Sequence, residues 1–347
     1  MALQTIAICC SQVPFFRDGA ELAVDSLRRQ LERRGYEATI VWMPFRWSPK
    51  SVLPDQCLAW RSLDLTESNG KDIDLVIATK FPSYAVKHPR KVTWLFHQFR
   101  QVYDLFGTRY SEYTRCPDDL AVREMIRRVD CRTLSESRHI YTLSKTVSKR
   151  LSDFNDLEST PLYHPPPNHE SFRPGPYESY VLSVGRLDAM KRVAPLVAAM
   201  AKTDPGLRCV IAGEGPELSN LRRLAESLEV DDRVEFPGAI GFEDLVKLYS
   251  KCLAVYFAPF NEDYGFITLE AFLSEKPVIT APDSGGALEF VTDGETGIVS
   301  ELEPEKLGER LRWLHGHRNE TEAMGRKGHG VASAIEWDPV VDALVQV

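Results

Sequence analysis

No run of apolar residues in this sequence approaches the ~20 needed to span a bilayer. The opening MALQTIAICC lacks a basic region ahead of its hydrophobic one, so a buried first strand is expected there and not a secretory leader. The seven cysteines (Cys9, Cys10, Cys57, Cys116, Cys131, Cys209, Cys252) are odd in number and include no C-x-x-C pair. That argues against a structural zinc and for a reducing, cytoplasmic setting. The loop after the first strand, SQVPFFRDGAEL, lacks the G-x-G-x-x-G of dinucleotide-binding domains and offers only Gly19, which disfavours an oxidoreductase. Asp72-x-Asp74 has the form of a metal-binding D-x-D, but it precedes its strand, whereas parallel sheets bind ligands beyond the carboxyl ends of their strands. His315 and His317, two apart near a helix end, fall on different faces with no third ligand nearby. No metal and no cofactor are expected.

With 347 residues, 43% of them apolar and 27% charged, the chain has material for two domains, each with its own core. The net charge of -8 is unevenly spread: residues 1–165 carry 24 Lys and Arg against 20 Asp and Glu, the remainder 18 against 30. A basic amino-terminal half suits an anionic partner such as a membrane face or a lipid phosphate, or is simply a solvated surface with an uneven draw of charges. Nothing points to nucleic acid.

Short apolar runs alternate with helical periodicity in both halves. LQTIAICC at 3–10 is followed by an amphipathic helix with Leu22, Val24, Leu27 and Leu31 on its apolar positions, then by a strand at 38–43; this is the opening of a doubly wound α/β domain. Further strands are expected at 72–79 and 91–96, with His97 immediately past the second. A helix is expected over 110–135, and a strand leading into a helix over 141–151, with Ser144 as its cap. Residues 161–176 hold six prolines, a composition through which no sheet or helix is expected to pass, so the interdomain hinge is placed there. The expected domains are 1–165, 166–325 and a helical tail, 326–347, packing back on the first.

The second domain opens on YVLSVGRL, a strand ending at Gly185-Arg186 with Lys191 close behind. Such a strand delivers fixed positive charge for a diphosphate, or, read blandly, starts a helix with a salt-bridged surface. The stretch 258–290 follows the same logic. Glu262 and Glu270 stand eight residues apart, slightly over two helical turns, with Gly265 between them where a helix begins. The first turn, Gly265, Phe266, Ile267, would present backbone amides and the positive end of the helix dipole. Acids in a phosphate site repel the ligand unless they address hydroxyls, so the pattern suits a sugar nucleotide: diphosphate on the helix, ribose on Glu270, sugar on Glu262.

Together Glu262, Gly265, Phe266, Glu270, Ala271, the Pro277-Val278-Ile279 strand, Gly285-Gly286 and Glu289 resemble the E-x7-E region of retaining glycosyltransferase family 4. The V-G-R-L-x-x-x-K-R run through Arg186 and Lys191 is similar to the same family. The resemblance implies two Rossmann-like domains facing a cleft, the B-type glycosyltransferase fold, with the last helix returning to the first domain through a tryptophan resembling Trp337. It implies that His97 touches the donor sugar, that Gly19 lies on a loop facing donor and acceptor, that the Gly213-Glu214 turn adjoins the nucleotide, and that Gly238 to Ile240 border the base. The catalytic set would be Glu262, His97, Arg186 and Lys191. The chain departs from the family pattern at Asp18, where a second glycine is usual, and at Leu143, where asparagine is usual. The implied activity is metal-independent transfer from a UDP- or GDP-sugar to a glycan, a lipid-linked saccharide or a small molecule, with the membrane touched at most peripherally. Mannosyltransferase-like members are similar in E-D-Y-G and G-G-A-L-E. A sugar-nucleotide 2-epimerase and a non-catalytic nucleotide-sugar-binding partner are the other readings.

Overall fold

The computed structural model describes residues 3–346. It divides into two compact units, Met1–Pro167 with Glu336–Val347, and Asn168–Ile335.

In the first unit the strands β1 (Thr5–Gln12), β2 (Glu37–Pro44), β5 (Leu75–Ala78), β6 (Lys91–Leu95), β7 (His139–Thr142) and β8 (Thr160–Pro161) form one parallel sheet, ordered β2-β1-β5-β6-β7-β8. A short hairpin, β3 (Glu67–Ser68) with β4 (Lys71–Asp72), precedes β5. The inner strands are buried along their length, as expected of a parallel sheet covered on both faces. The helices are α1 (Gly19–Arg33), α2 (Leu53–Ser62), α3 (Pro117–Leu134) and α4 (Lys145–Asn155). Asp18 caps α1: its side chain accepts from the Ala20 amide, and Glu21 accepts in turn from the Asp18 amide at 3.1 Å. This reciprocal box satisfies two end amides of the helix and explains an acid where family members carry glycine. Leu143 is buried in the core, and Ser144 accepts from Val147 as the cap of α4.

Three expectations change. α3 starts at Pro117, not near 110, because a proline disfavours helical backbone at the residue before it and is itself at home in a first turn. The proline-rich stretch does contribute a strand: Pro161 pairs with Thr142 at the sheet's outer edge, where a missing N–H costs no ladder bond. The carboxyl-terminal return begins at Glu336 and not at 326. Up to Ser333 the chain is one helix, α10 (Arg318–Ser333), whose Met324, Gly328 and Ala332 are buried in the second unit. The helix after it, α11 (Trp337–Val345), lays Trp337 against Trp94 and His164 of the first unit, and Arg34 bonds Asp338 and Asp342.

Asp74, the second acid of the D-x-D pair, is engaged in the fold. It lies at the amino end of β5 and accepts from the Gln4 and Thr5 amides at 2.8 and 3.0 Å, tying in the start of β1.

The second unit has β9 (Tyr180–Val184), β10 (Arg208–Ala212), β11 (Val234–Gly238), β12 (Ala254–Tyr256), β13 (Val278–Thr280) and β14 (Gly297–Val299) in one parallel sheet, ordered β11-β10-β9-β12-β13-β14. Its other helices are α5 (Ala194–Met200), α6 (Leu218–Ser227), α7 (Phe242–Lys251), α8 (Phe266–Leu273) and α9 (Pro304–Gly316). The strand order reverses between β9 and β12, and parallel α/β sheets bind ligands at such a switch point, beyond the carboxyl ends of the strands.

Candidate functional site

Three turns are stitched together where β9, β10 and β11 end. Gly185 donates to the Ala212 carbonyl at 3.0 Å, Leu187 to Glu214 at 2.9 Å and Gly213 to Gly238 at 2.8 Å. Gly213 adopts φ +145° with the Gly185 carbonyl directly over its α-carbon, so the approach requires a residue without a β-carbon. Gly213, Gly238 and Ile240 are half-buried, and Glu214 and Arg186 are exposed.

Across the switch point, β12 runs into the loop carrying Glu262. The Glu262 amide donates to Ser284 at 3.2 Å and its carbonyl accepts from Gly286 at 2.7 Å. Gly285 sits between at φ +62°, where a β-carbon would lie 2.5 Å from the Glu262 carbonyl oxygen. Arg192 braces this loop from the other side, donating to the Ala258 and Pro259 carbonyls and to both oxygens of Asp283 at 2.6–2.8 Å. The sequence signals Arg192 only as a neighbour of Lys191; its bracing role depends on chain crossings that no local pattern encodes.

Lys191 Nζ meets Glu262 Oε2 at 2.6 Å, with side-chain exposures of 28% and 22%. The ammonium also lies 5.5 Å from the centre of the Phe257 ring. Next to this pair α8 begins. Gly265 caps it at φ +89° against the Phe257 ring, and the Ile267 side chain reaches the Gly185 turn. The amino end of α8 therefore lies beside the carboxyl end of β9. Phe266 packs edge-on against Tyr264 at 5.4 Å.

Glu270 is inside α8, whereas Glu262 lies four residues ahead of its first residue. The helical-register argument for pairing the two acids therefore does not apply, and each is held by its own partner. Tyr249, fully buried, donates to Glu270 Oε2 at 2.7 Å. Burial pushes the Glu270 carboxyl up to about 7, against the downward pull of that hydrogen bond. Tyr249 carried no signal in the sequence. A hydroxyl donated by a ribose would favour the charged carboxylate and lower this pKa, so binding of a sugar nucleotide should release a proton near neutral pH. With UDP-glucose, whose diphosphate has no group titrating there, affinity should rise from pH 5.5 to about 7 and then level off. A Glu270→Gln variant should show a flat profile by calorimetry; a flat wild-type profile would remove Glu270 from ribose recognition.

In the first unit, Gly19 opens α1 and His97 follows β6, both at the carboxyl edge of that sheet. His97 Nδ1 lies 2.9 Å from the Gln98 carbonyl oxygen. The order of this sheet reverses between β1 and β5, and there Lys80 and Glu21, 9% and 3% exposed, form an ion pair at 2.5 Å that sequence reasoning did not single out. Among the described residues no three His, Cys, Asp or Glu side chains are grouped to hold a metal ion, and no helix is long and apolar enough to cross a membrane.

Two parallel-sheet units, each with a reversal in its strand order, are the architecture of B-type glycosyltransferases. Residues 167–330 match the family described as glycosyl transferases group 1. A D-inositol 3-phosphate glycosyltransferase of Nocardia farcinica is 33% identical over 183 residues, 49% of this chain and 40% of the relative; the Mycolicibacterium smegmatis protein of the same name is 31% identical over 175 residues, 48% and 39%. The match thus spans less than half the length of these curated relatives. Among solved structures, sucrose-phosphate synthase from Thermosynechococcus elongatus superposes with a TM-score of 0.79 at 19% identity, covering 99% of this chain and 98% of that one. Anabaena HepE in complex with UDP-glucose gives 0.71 at 15% identity, covering 99% and 98%. These likenesses establish the fold.

Proposed function

We propose that the protein is a hexosyltransferase that moves a sugar from a nucleoside-diphosphate donor, a UDP- or GDP-sugar, to an acceptor with retention of configuration. The observation that carries this reading is the Lys191–Glu262 pair at the switch point, beside the amino end of α8. As the sugar–phosphate bond stretches, the leaving diphosphate gains negative charge. Lys191, Arg186 and the α8 amides are the groups that absorb it, with fixed cations and dipoles doing a divalent ion's work. No carboxylate is assigned as a nucleophile on the far face of the sugar, so the reading favours front-face substitution, in which the departing phosphate oxygen takes the acceptor's proton. In this scheme His97 orients the donor sugar and Gly19 lies on the loop facing donor and acceptor, and the reaction serves glycan, lipid-linked saccharide or glycosylated-metabolite synthesis. The HepE complexes with UDP and UDP-glucose support a nucleotide-sugar donor.

Calorimetry with UDP-, GDP-, ADP- and dTDP-sugars, followed by assay of sugar transfer and donor hydrolysis, tests the reading; no binding to any of the four would sink it. In the unliganded protein Glu262 competes with a diphosphate for Lys191. A Glu262→Gln variant should therefore bind the nucleoside diphosphate as well as the wild type or a few-fold better, the worth of a partly exposed pair being about 0.5–1 kcal/mol. The same variant should transfer sugar at least ~10-fold more slowly, having lost the carboxylate that reads the sugar's hydroxyls. Near-normal transfer would remove Glu262 from the mechanism.

A further inference from the structure

The first unit has a groove that the donor site does not use. It lies where β1 and β2 end, has a volume of about 410 Å³, and is walled by Pro14, Met43, Phe45, Val52, Ala59 and Trp60. Its polar lining is confined to Arg46, Asp55 and Gln56 together with main chain. Gln56 fixes the rim by accepting from the Arg46 amide at 3.0 Å and donating to the Arg46 carbonyl at 2.6 Å, so the concavity is built into the fold. Its size is that of a small-molecule pocket, and it stands at the ligand-binding edge of a parallel sheet.

Two further observations point to a guest. Phe15, next to Pro14, is fully exposed and holds φ +65°, a left-handed backbone that a bulky residue adopts only at a cost. Phe16 and Trp47 are also exposed nearby in sequence, at 46% and 40%. Phe45 connects the groove to the acceptor side of the unit: its ring packs edge-on against Phe81 at 6.0 Å and Phe99 at 6.3 Å, two residues from His97.

Charge identifies the kind of guest. Arg17 is paired with Asp25, Lys50 with Asp119 at 2.6 Å, and Arg46 shares the groove lining with Asp55. With two neighbouring cations held in ion pairs and Arg46 sharing the lining with Asp55, this face suits an uncharged apolar group better than an anionic membrane. We infer that the groove receives an aryl or similarly flat apolar moiety carried by the acceptor, while the acceptor's sugar or hydroxyl lies toward His97. This rests on the transferase reading above and narrows it to acceptors that bear such a group.

Binding to the full chain is measured by ligand-detected NMR and calorimetry with 4-methylumbelliferyl β-glucoside and methyl β-glucoside as probes. The aryl glucoside should bind at least tenfold more tightly. Filling the groove by Ala59→Phe, or independently by Val52→Phe two helical turns earlier, should erase that difference and leave UDP binding unchanged. Equal affinity for the two probes, or an aryl preference that survives both substitutions, would overturn the inference. So would attachment to phosphatidylglycerol vesicles that is lost in Phe15→Ser, with no binding of the aryl probe, because the face would then be a membrane contact. UDP binding and its loss on changing Lys191 are read separately, so failure of the donor reading is distinguishable from failure of the groove.

Discussion

A Lys191→Met variant should lose sugar transfer by about 10²–10³-fold in kcat, the scale on which removal of one preorganised charge at a developing anion is felt. Methionine approximates the length of the lysine stem, so its packing toward Phe257 is largely kept while the charge is lost. Stability should change little, because Lys191 and Glu262 are 28% and 22% exposed and ion pairs of that exposure contribute about 1 kcal/mol or less. Nucleoside-diphosphate affinity should fall as well, since the ground-state diphosphate already carries charge. The loss in kcat is the decisive quantity: a cation that met substrate and transition state equally would change KM alone. Steady-state kinetics beside a thermal melt would separate the cases. Unchanged kcat would leave Lys191 a structural partner of Glu262 and remove the central element of the proposed chemistry.

Gly213→Ala should be the most damaging single methyl in the second unit. A β-carbon at φ +145° would collide with the Gly185 carbonyl, whose turn holds Arg186. Backbone strain of about 1–3 kcal/mol and overpacking of about 1–3 kcal/mol together come to about 2–6 kcal/mol, a large share of a domain's ~5–15 kcal/mol. For a unit of this size the melting temperature should drop by about 10 °C, and nucleotide affinity should fall with it. Gly206→Ala is the control: its nearest neighbour, the His315 ring, is 3.9 Å from the added carbon, and it should melt within a degree or two of the wild type. Equal melting of the two variants would show that the Gly185–Gly213 approach relaxes at little cost.

Short-range sequence carried most of the fold and part of the site. The burial pattern of each strand, the Asp18 and Ser144 caps and the Gly265 helix start are settled by residues within a few positions of each other, because turns, caps and helical periodicity are local physics. The same holds for Arg186 and Lys191, placed by the end of their strand. It failed where a local rule met a boundary condition: Pro161 joins the sheet because its strand is the edge, and α10 stays with the second unit because its buried face packs there, although nothing in its composition says so.

What the chain determined by itself was the alternation of strand and helix and the spacing of the cations, glycines and two glutamates on which the proposed diphosphate site rests. Tertiary structure alone decided which of these meet: Glu262 with Lys191 across 71 residues, Glu270 with Tyr249 across 21, and Arg192 with Asp283 across 91. The reason is that partners so far apart in sequence are chosen by the order of strands in the sheet and the crossings between them, which a sequence read locally does not contain.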